Sequence, residues 1–178
     1  MTAAEATTIL TDEIRSYIGR QSDAVTACDA VEPGAVRRYA QAIMADGDGD
    51  YASDATPPRH RGPVAPPLYP AFMFRRPLGT ADVLSERAED PDFDGLVSAA
   101  SDGLPELPLP GRALLNGGSE IELLRYARHG EQVTQRSRYA DIYERQSKNG
   151  PMLFVVVETE YAVGPEVLLR VRKTIIRR

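Results

Sequence analysis

One cysteine, Cys28, and two histidines, His60 and His129, are all that this 178-residue chain offers of thiol and imidazole side chains. A lone cysteine excludes a disulfide framework and a cysteine-rich zinc site. It fits a reducing compartment and reads as a small core residue. His60 lies in a proline-rich stretch and His129 in a turn, and neither has a partner at metal-ligand spacing, so no metal and no cofactor are expected. The chain lacks a G-x-x-x-x-G-K phosphate loop and a G-x-S-x-G nucleophile elbow. It also lacks a basic start followed by an apolar stretch, which argues against a signal peptide. The strongest apolar run, Met152 to Val157, is far too short to cross a bilayer. A soluble, cytoplasmic protein with no membrane association is expected. Basic excess is missing too: 21 Lys and Arg face 26 Asp and Glu, a net charge of −5. That argues against a nucleic-acid partner. The balance is uneven, −9 over residues 1–111 and +4 over 112–178, and reads as ordinary solvated surface.

The length suits one domain spanning 1–178. Thr11 to Ile18 has a short helix's signals: Thr11 as cap, Asp12 and Glu13 in the first turn, Gly19 past the end. Val25 to Cys28 leans towards a strand. Pro33 opens a second helix, Gly34 to Ala45, whose Val36, Tyr39, Ala40 and Ile43 form one apolar stripe. Residues 57–110 hold 11 of the 14 prolines. Within them, Leu68 to Phe74 is almost continuously apolar and reads as the start of a buried helix, with Pro66, Pro67 and Pro70 tolerated in its first turn. Thr80 to Gly111 is acidic and rich in Pro, Gly and Ser, as expected of a surface insertion at about 80–111 with a short helix at 80–88.

Beyond Leu114 the texture changes. Ser119–Leu124, Val133–Tyr143, Met152–Tyr161 and Val167–Ile176 read as strands, with turns at Asn149-Gly150 and Gly164-Pro165. Successive antiparallel strands after a helical first half indicate an α+β fold. Gly117-Gly118 within a strand suggests a bulge or a close backbone approach. Asp46, Asp48, Asp50 and Asp54 imitate the start of a calcium loop. However, Tyr51 stands where glycine is required and Pro57 where glutamate is, so an acidic turn is the better reading. Tyr39, Tyr69, Tyr126, Tyr139, Tyr143 and Tyr161 suit the margin of a core.

The order of several segments is more specific than any one of them. Ile18-Gly19-Arg20 ends a short helix, a strand leads to VEPGAVRRYAQAI, and an acidic turn leads to GPVAPPLYPAFMF. After an insertion come LLNGGSEIELLRYARHGEQV, GPMLFVVVETEYAV and RVRKTIIRR. This order resembles the MaoC-like hotdog superfamily, in particular the N-terminal, non-catalytic dehydratase-type half of R-specific enoyl-CoA hydratases and 3-hydroxyacyl dehydratases. The resemblance runs from about Thr11 to Arg178. It implies a single hotdog fold, a curved antiparallel sheet wrapped around a central helix that opens at 68–74. It also implies that acyl thioesters, carried by CoA or an acyl carrier protein, enter where two such halves pair.

The catalytic half of that superfamily carries an aspartate and a histidine five residues apart, and a backbone N–H at the start of the buried helix polarises the thioester carbonyl. Here Ala55 lies five residues before His60 and Leu124 five before His129. Aligning Gly62-Pro63-Val64 with the helix opening puts Pro66 and Pro67, which have no N–H, at the oxyanion position. The resemblance therefore implies a pocket-forming subunit with no catalytic residue of its own, inactive alone. Its partner would be a catalytic MaoC-like hotdog chain, in a heterodimer or heterotetramer. Substrate-binding candidates are Tyr69, Phe72 and Met73 from the helix, with Asn116 and Gly117 from the facing strand. The alternatives are a silent acyl-thioester-binding or scaffold homodimer, and a hotdog thioesterase using an acidic residue of the 46–54 turn.

Overall fold

A computed structural model describes residues 8–43, 62–74, 79–81, 83–91 and 103–178. Its frame is set by two tight hairpins. Strand β3 (Thr134–Ser147) turns through Lys148 and Asn149 into β4 (Gly150–Val163), which turns through Gly164 and Pro165 into β5 (Glu166–Arg177). Gly150 and Gly164 have φ of 106° and 55°, a left-handed backbone that glycine adopts without steric cost. Two further strands complete one antiparallel sheet: β1 (Val25–Thr26) beside β3, and β2 (Leu114–Leu123) beside β5. The order is β1-β3-β4-β5-β2. This is the α+β arrangement expected, a curved five-stranded sheet with little helix.

Residues on alternate sides of β4 meet different surroundings. Leu153, Val155, Val157, Thr159 and Tyr161 point to the inner face and are all buried, whereas Phe154, Val156, Glu158 and Glu160 form the outer face. Two apolar clusters cover the inner face. At one end Leu153, Val155, Val157, Tyr139, Ile142 and Ile175 pack against Ile9, Leu10 and Ile14. At the other, Val133, Tyr161, Leu168 and Leu169 pack against Val31, Val36, Ala65, Tyr69 and Ala127. Two polar side chains buried between them, Ser137 and Thr159, satisfy each other at 2.8 Å.

The helices are short. α1 (Asp12–Arg15) is capped as expected, with the Ile14 N–H donating to the Thr11 hydroxyl at 3.2 Å. α2 (Pro33–Ile43) buries Val36 and Ala40, but Ile43 is 54% exposed, so the apolar stripe stops a turn early. α3 (Tyr69–Phe72) is a single turn within the 68–74 segment, and α4 is Val83–Arg87. Cys28 is exposed, contrary to the core position expected; its neighbour Ala27 takes the inward place.

The tail of the expected surface insertion also takes a different course. Ser85 to Pro91 is exposed, yet Leu104, Leu107 and Leu109 enter the first core cluster. Prolines 105, 108 and 110 keep this stretch out of helix, and all three of its leucines are buried against that cluster. The buried Tyr139 hydroxyl fastens it by donating to the Pro105 carbonyl at 2.9 Å. Burial, with lesser help from Tyr17 and Glu106, pushes that phenol up to about 12, so it stays a donor at any physiological pH.

The two edges of the sheet differ. The free side of β3 is covered by the segment 19–31, through Gly19 N–H to Tyr139 O (2.8 Å), Ser22 N–H to Ser137 O (2.9 Å) and Ala27 N–H to Val133 O (2.9 Å). Farther along, the Glu144 carboxylate accepts from the Ile9 and Leu10 N–H groups at 2.5 and 3.0 Å. On the opposite side, nothing among the described residues pairs with the free edge of β2, which is exposed from Leu115 to Leu123.

Two outcomes follow. Leu107→Ala should cost about 2–5 kcal/mol in urea unfolding, as a core leucine does and a surface leucine does not. Partial burial would raise the Glu144 pKa, but the backbone donors Ile9 and Leu10, with Thr8 and Gln146, outweigh it and hold the carboxyl below its ordinary value. The clamp on residues 8–10 is therefore fully present above the ordinary carboxylate range and lost as pH falls through the depressed value. A melting-temperature profile should lose this acid-side dependence in Glu144→Gln.

Candidate functional site

The approach to α3 is built from two chain segments tied together. Ala65 N–H donates to the Ala127 carbonyl at 2.8 Å, His129 N–H to Pro63 O at 3.4 Å, and Val64 bridges to Arg128. The 125–131 loop holds its shape through Glu131, which accepts from Arg125 Nη1 at 2.9 Å and from the Arg128 N–H at 2.8 Å. Arg125 also contacts Glu166 at 2.9 Å. Burial raises the Glu131 carboxyl, but its two donors prevail and keep it below the usual range.

Above this support sits an aromatic cluster. Tyr69 is 3% exposed and meets Tyr39 edge-on, with ring centroids 5.4 Å apart. Phe72 lies 4.9 Å from the same Tyr39 ring and is 43% exposed. Met73 and Phe74 are half-buried, and Phe74 packs on Tyr161 at 5.6 Å. Burial raises the Tyr69 phenol, aided by the negative charges of Glu32 and Asp29 against Arg38; burial also raises Tyr39. Both remain neutral. The cluster is an apolar wall with an exposed rim at Phe72.

Peptide donors are scarce at this rim. Pro66, Pro67 and Pro70 have no N–H. Ala65 is engaged as above, and Tyr69 N–H donates to Pro66 O at 3.0 Å and Ala71 N–H to Leu68 O at 3.1 Å. Within 65–71 only Leu68 keeps an N–H outside these bonds.

From the aromatic end, the inner face of β2 continues beside β5 as an exposed strip. Leu123 pairs with Leu169, Ile121 with Val171 and Ser119 with Lys173, and these β2 residues are exposed. Asn116 and Gly117 stand at the far end. Asn116 Oδ1 accepts from the Gly118 N–H at 2.9 Å, and the β2–β5 register shifts between Asn116 and Ser119. The two glycines thus mark both a bulge and a close approach. A Cβ on Gly117 would lie 2.9 Å from Thr174 Cγ2 and 3.0 Å from the Thr174 carbonyl oxygen.

The candidate residues therefore divide. Tyr69, Phe72 and Met73 share one cluster near Leu169. Asn116 and Gly117 lie seven and six residues from Leu123 along β2, roughly 20 Å away at about 3.3 Å per residue. Tyr39, which carries Phe72, was legible as part of a helix stripe and as a core-margin tyrosine, but not as a partner of α3. Ile121 and Leu123 were signalled by the alternation S-E-I-E-L, which sends two glutamates one way and two apolar side chains the other. His129 occupies a turn, as expected. Asp46, Asp48, Asp50, Asp54 and His60 lie outside the described residues. Among the described residues, no three His, Cys, Asp or Glu side chains gather as a metal site, and no helix is long and apolar enough to cross a membrane.

The family model FAS1-like, dehydratase domain region matches residues 16–168. The chain belongs to this dehydratase-region family. No curated protein matches it. Among solved structures, a chain of the ChsH1–ChsH2 complex from Mycobacterium tuberculosis is 20% identical, with a TM-score of 0.65 over 93% of this chain and 86% of that one. A MaoC-like dehydratase from Rhodospirillum rubrum is 18% identical, with a TM-score of 0.53 over 90% of this chain and 93% of that one. A MaoC-like dehydratase from Phytophthora capsici is also 18% identical, with a TM-score of 0.56 over 94% of this chain but 50% of that one. These likenesses identify the sheet as a MaoC-like hotdog fold.

In this family member Gly117→Ala should be costly for steric reasons alone. Overpacking typically destabilises by about 1–3 kcal/mol. Amide exchange should quicken at 114–119 and the facing 174–176, while β3 and β4 stay protected.

Proposed function

We propose that this chain, 1–178 as one hotdog unit, is the non-catalytic, pocket-forming subunit of a heteromeric enoyl-CoA hydratase or 3-hydroxyacyl-thioester dehydratase. A second MaoC-like hotdog chain supplies the aspartate and histidine. The observation that carries this reading is the opening of α3. Where a catalytic half needs a backbone donor for the thioester oxygen, this chain has Pro66 and Pro67, and the Ala65 N–H is committed to Ala127 at 2.8 Å. Of the peptide groups from 65 to 71, an oxyanion formed there would find only the Leu68 N–H outside the bonds described, and paired donors of this kind are usually the largest single contribution to such chemistry.

Three further observations support it. The free edge of β2 is a strand-pairing surface of the kind a second sheet covers. The inner strip of Ile121 and Leu123 has exposed apolar side chains beside that edge. The Mycobacterium tuberculosis relative is one component of a two-component complex, and the Phytophthora capsici chain has as much again outside its match, room for a second unit of this size.

In this reading Tyr69, Phe72 and Met73 form the wall of the acyl pocket, and Asn116 and Gly117 lie along the strand at the partner's side. The thioester enters between the two chains.

The test is co-expression with a MaoC-like chain that carries an aspartate and a histidine five residues apart. The two should copurify, and only the pair should hydrate an enoyl-CoA. Turnover by the isolated chain would show that a catalytic group has been missed. Thiol release from a saturated acyl-CoA would favour a thioesterase instead. Within the active pair, Phe72→Ala should change acyl-length preference while costing less than the roughly 3–5 kcal/mol of a fully buried phenylalanine. A large stability loss with unchanged preference would make Phe72 a packing residue only.

A further inference from the structure

The outer face of the sheet carries its charges in an order set by the strand register. Reading from β3 across β4 and β5 to β2, one row is Arg138, Glu158, Arg172 and Glu120. The next is Arg136, Glu160, Arg170 and Glu122. Within these two rows each strand presents one sign, positive on β3, negative on β4, positive on β5 and negative on β2; Asp141, opposite Val156 in the adjoining row, is an acidic exception on β3. A third row is apolar throughout: Tyr143, Phe154, Ile176 and Leu115. Tyr143 and Phe154 are stacked, with centroids 5.0 Å apart and 2° between planes.

We propose that this face pairs with the same face of a second copy of the chain, about a two-fold axis running parallel to the strands between β4 and β5. Such an axis turns the row order around. Arg138 then faces the second copy's glutamate at 120, and Glu158 faces its arginine at 172. The second row behaves likewise. The apolar row folds onto itself, with Tyr143 over the second copy's leucine at 115 and Phe154 over its isoleucine at 176. The other in-plane axis, across the strands, would stack each strand on its own counterpart and set like charges together. The charge pattern therefore selects one axis, and an isologous contact needs such self-complementarity.

The ions are unevenly used within one chain. Glu158 holds Arg138 at 2.6 Å, and Arg170 holds Glu160 and Glu122 at 2.8 and 2.6 Å. Arg136, Arg172 and Glu120 make no ion pair among the described residues, so each row keeps charge to offer. Four strands about 4.8 Å apart and about 27 Å long give roughly 500 Å² per chain, or about 1,000 Å² in all, the lower bound for a specific contact. Aligned sheets cross at about 30°, which leaves the central β4 and β5 rows superposed. This face is on the opposite side of the sheet from the pocket wall and does not use the free edge of β2, so the proposal stands apart from the proposed function.

Sedimentation of the full chain, and of its complex with a catalytic partner, tests it. Two copies per assembly are expected, weakening as salt rises. Glu120→Arg alone sets arginine against Arg138 twice over, and Arg138→Glu alone sets glutamate against Glu120 twice over. Each variant should hold one copy. Mixed together, they restore both contacts and should assemble as a pair containing one of each. A wild-type assembly with a single copy overturns the proposal, as does either variant that still self-pairs. Two variants that stay apart on mixing also overturn it, because a defect within one chain is not repaired by the other.

Discussion

The register of β4 between β3 and β5 is the constraint on which the rest of the molecule depends. Each two-residue loop fixes one side of the strand, and side chains alternate strictly across it. Shifted by one residue, Glu158 and Glu160 would enter the core and Val155 and Val157 would face water. Held in place, the strand separates an apolar inner face, where both core clusters form, from an outer face of charged rows. α1, α2, α3, the 104–109 strap and the amino-terminal segment are fitted to the inner face.

That inner face is covered unequally. Over β3 and β4 it is closed by α1, α2, α3 and the strap. Over β2 no described residue covers it from Leu123 to Asn116, although Leu169 and Ile175 of the neighbouring β5 are buried. A sheet finished on one flank and bare on the other is a half-built container. This explains why the candidate residues spread along a strip rather than converge on a pocket within one chain.

Much of this was legible in the sequence because it was periodic or local. The Thr11 cap, the Pro33 helix start, the turn glycines, the Gly117-Gly118 bulge and all the long strands follow from spacing and backbone chemistry. The misreadings came where a non-local contact decided. Cys28 looked like a core residue, but the pairing of β1 turned Ala27 inwards. Ile43 completed an apolar stripe, but it is exposed and none of the described elements covers it. Leu104, Leu107 and Leu109 were hidden in an acidic, proline-rich average, although three leucines were enough to seat the strap. For the site, Tyr69 was recognisable from an apolar run. The dependence of Phe72 on Tyr39, some thirty residues earlier, was not, because only the tertiary fold brings α2 against α3.

The covering of the β3 edge by the chain's own segment 19–31 has a consequence for growth. A sheet bare on both sides can add neighbours without limit, which is the geometry of a fibre. This sheet has one stopped end. Anything that joins it by strand pairing must do so at β2. If the newcomer is stopped in the same way, the extended sheet has no bare edge left and goes no further. Finite assembly is therefore written into the amino-terminal segment, far from the strand that does the joining.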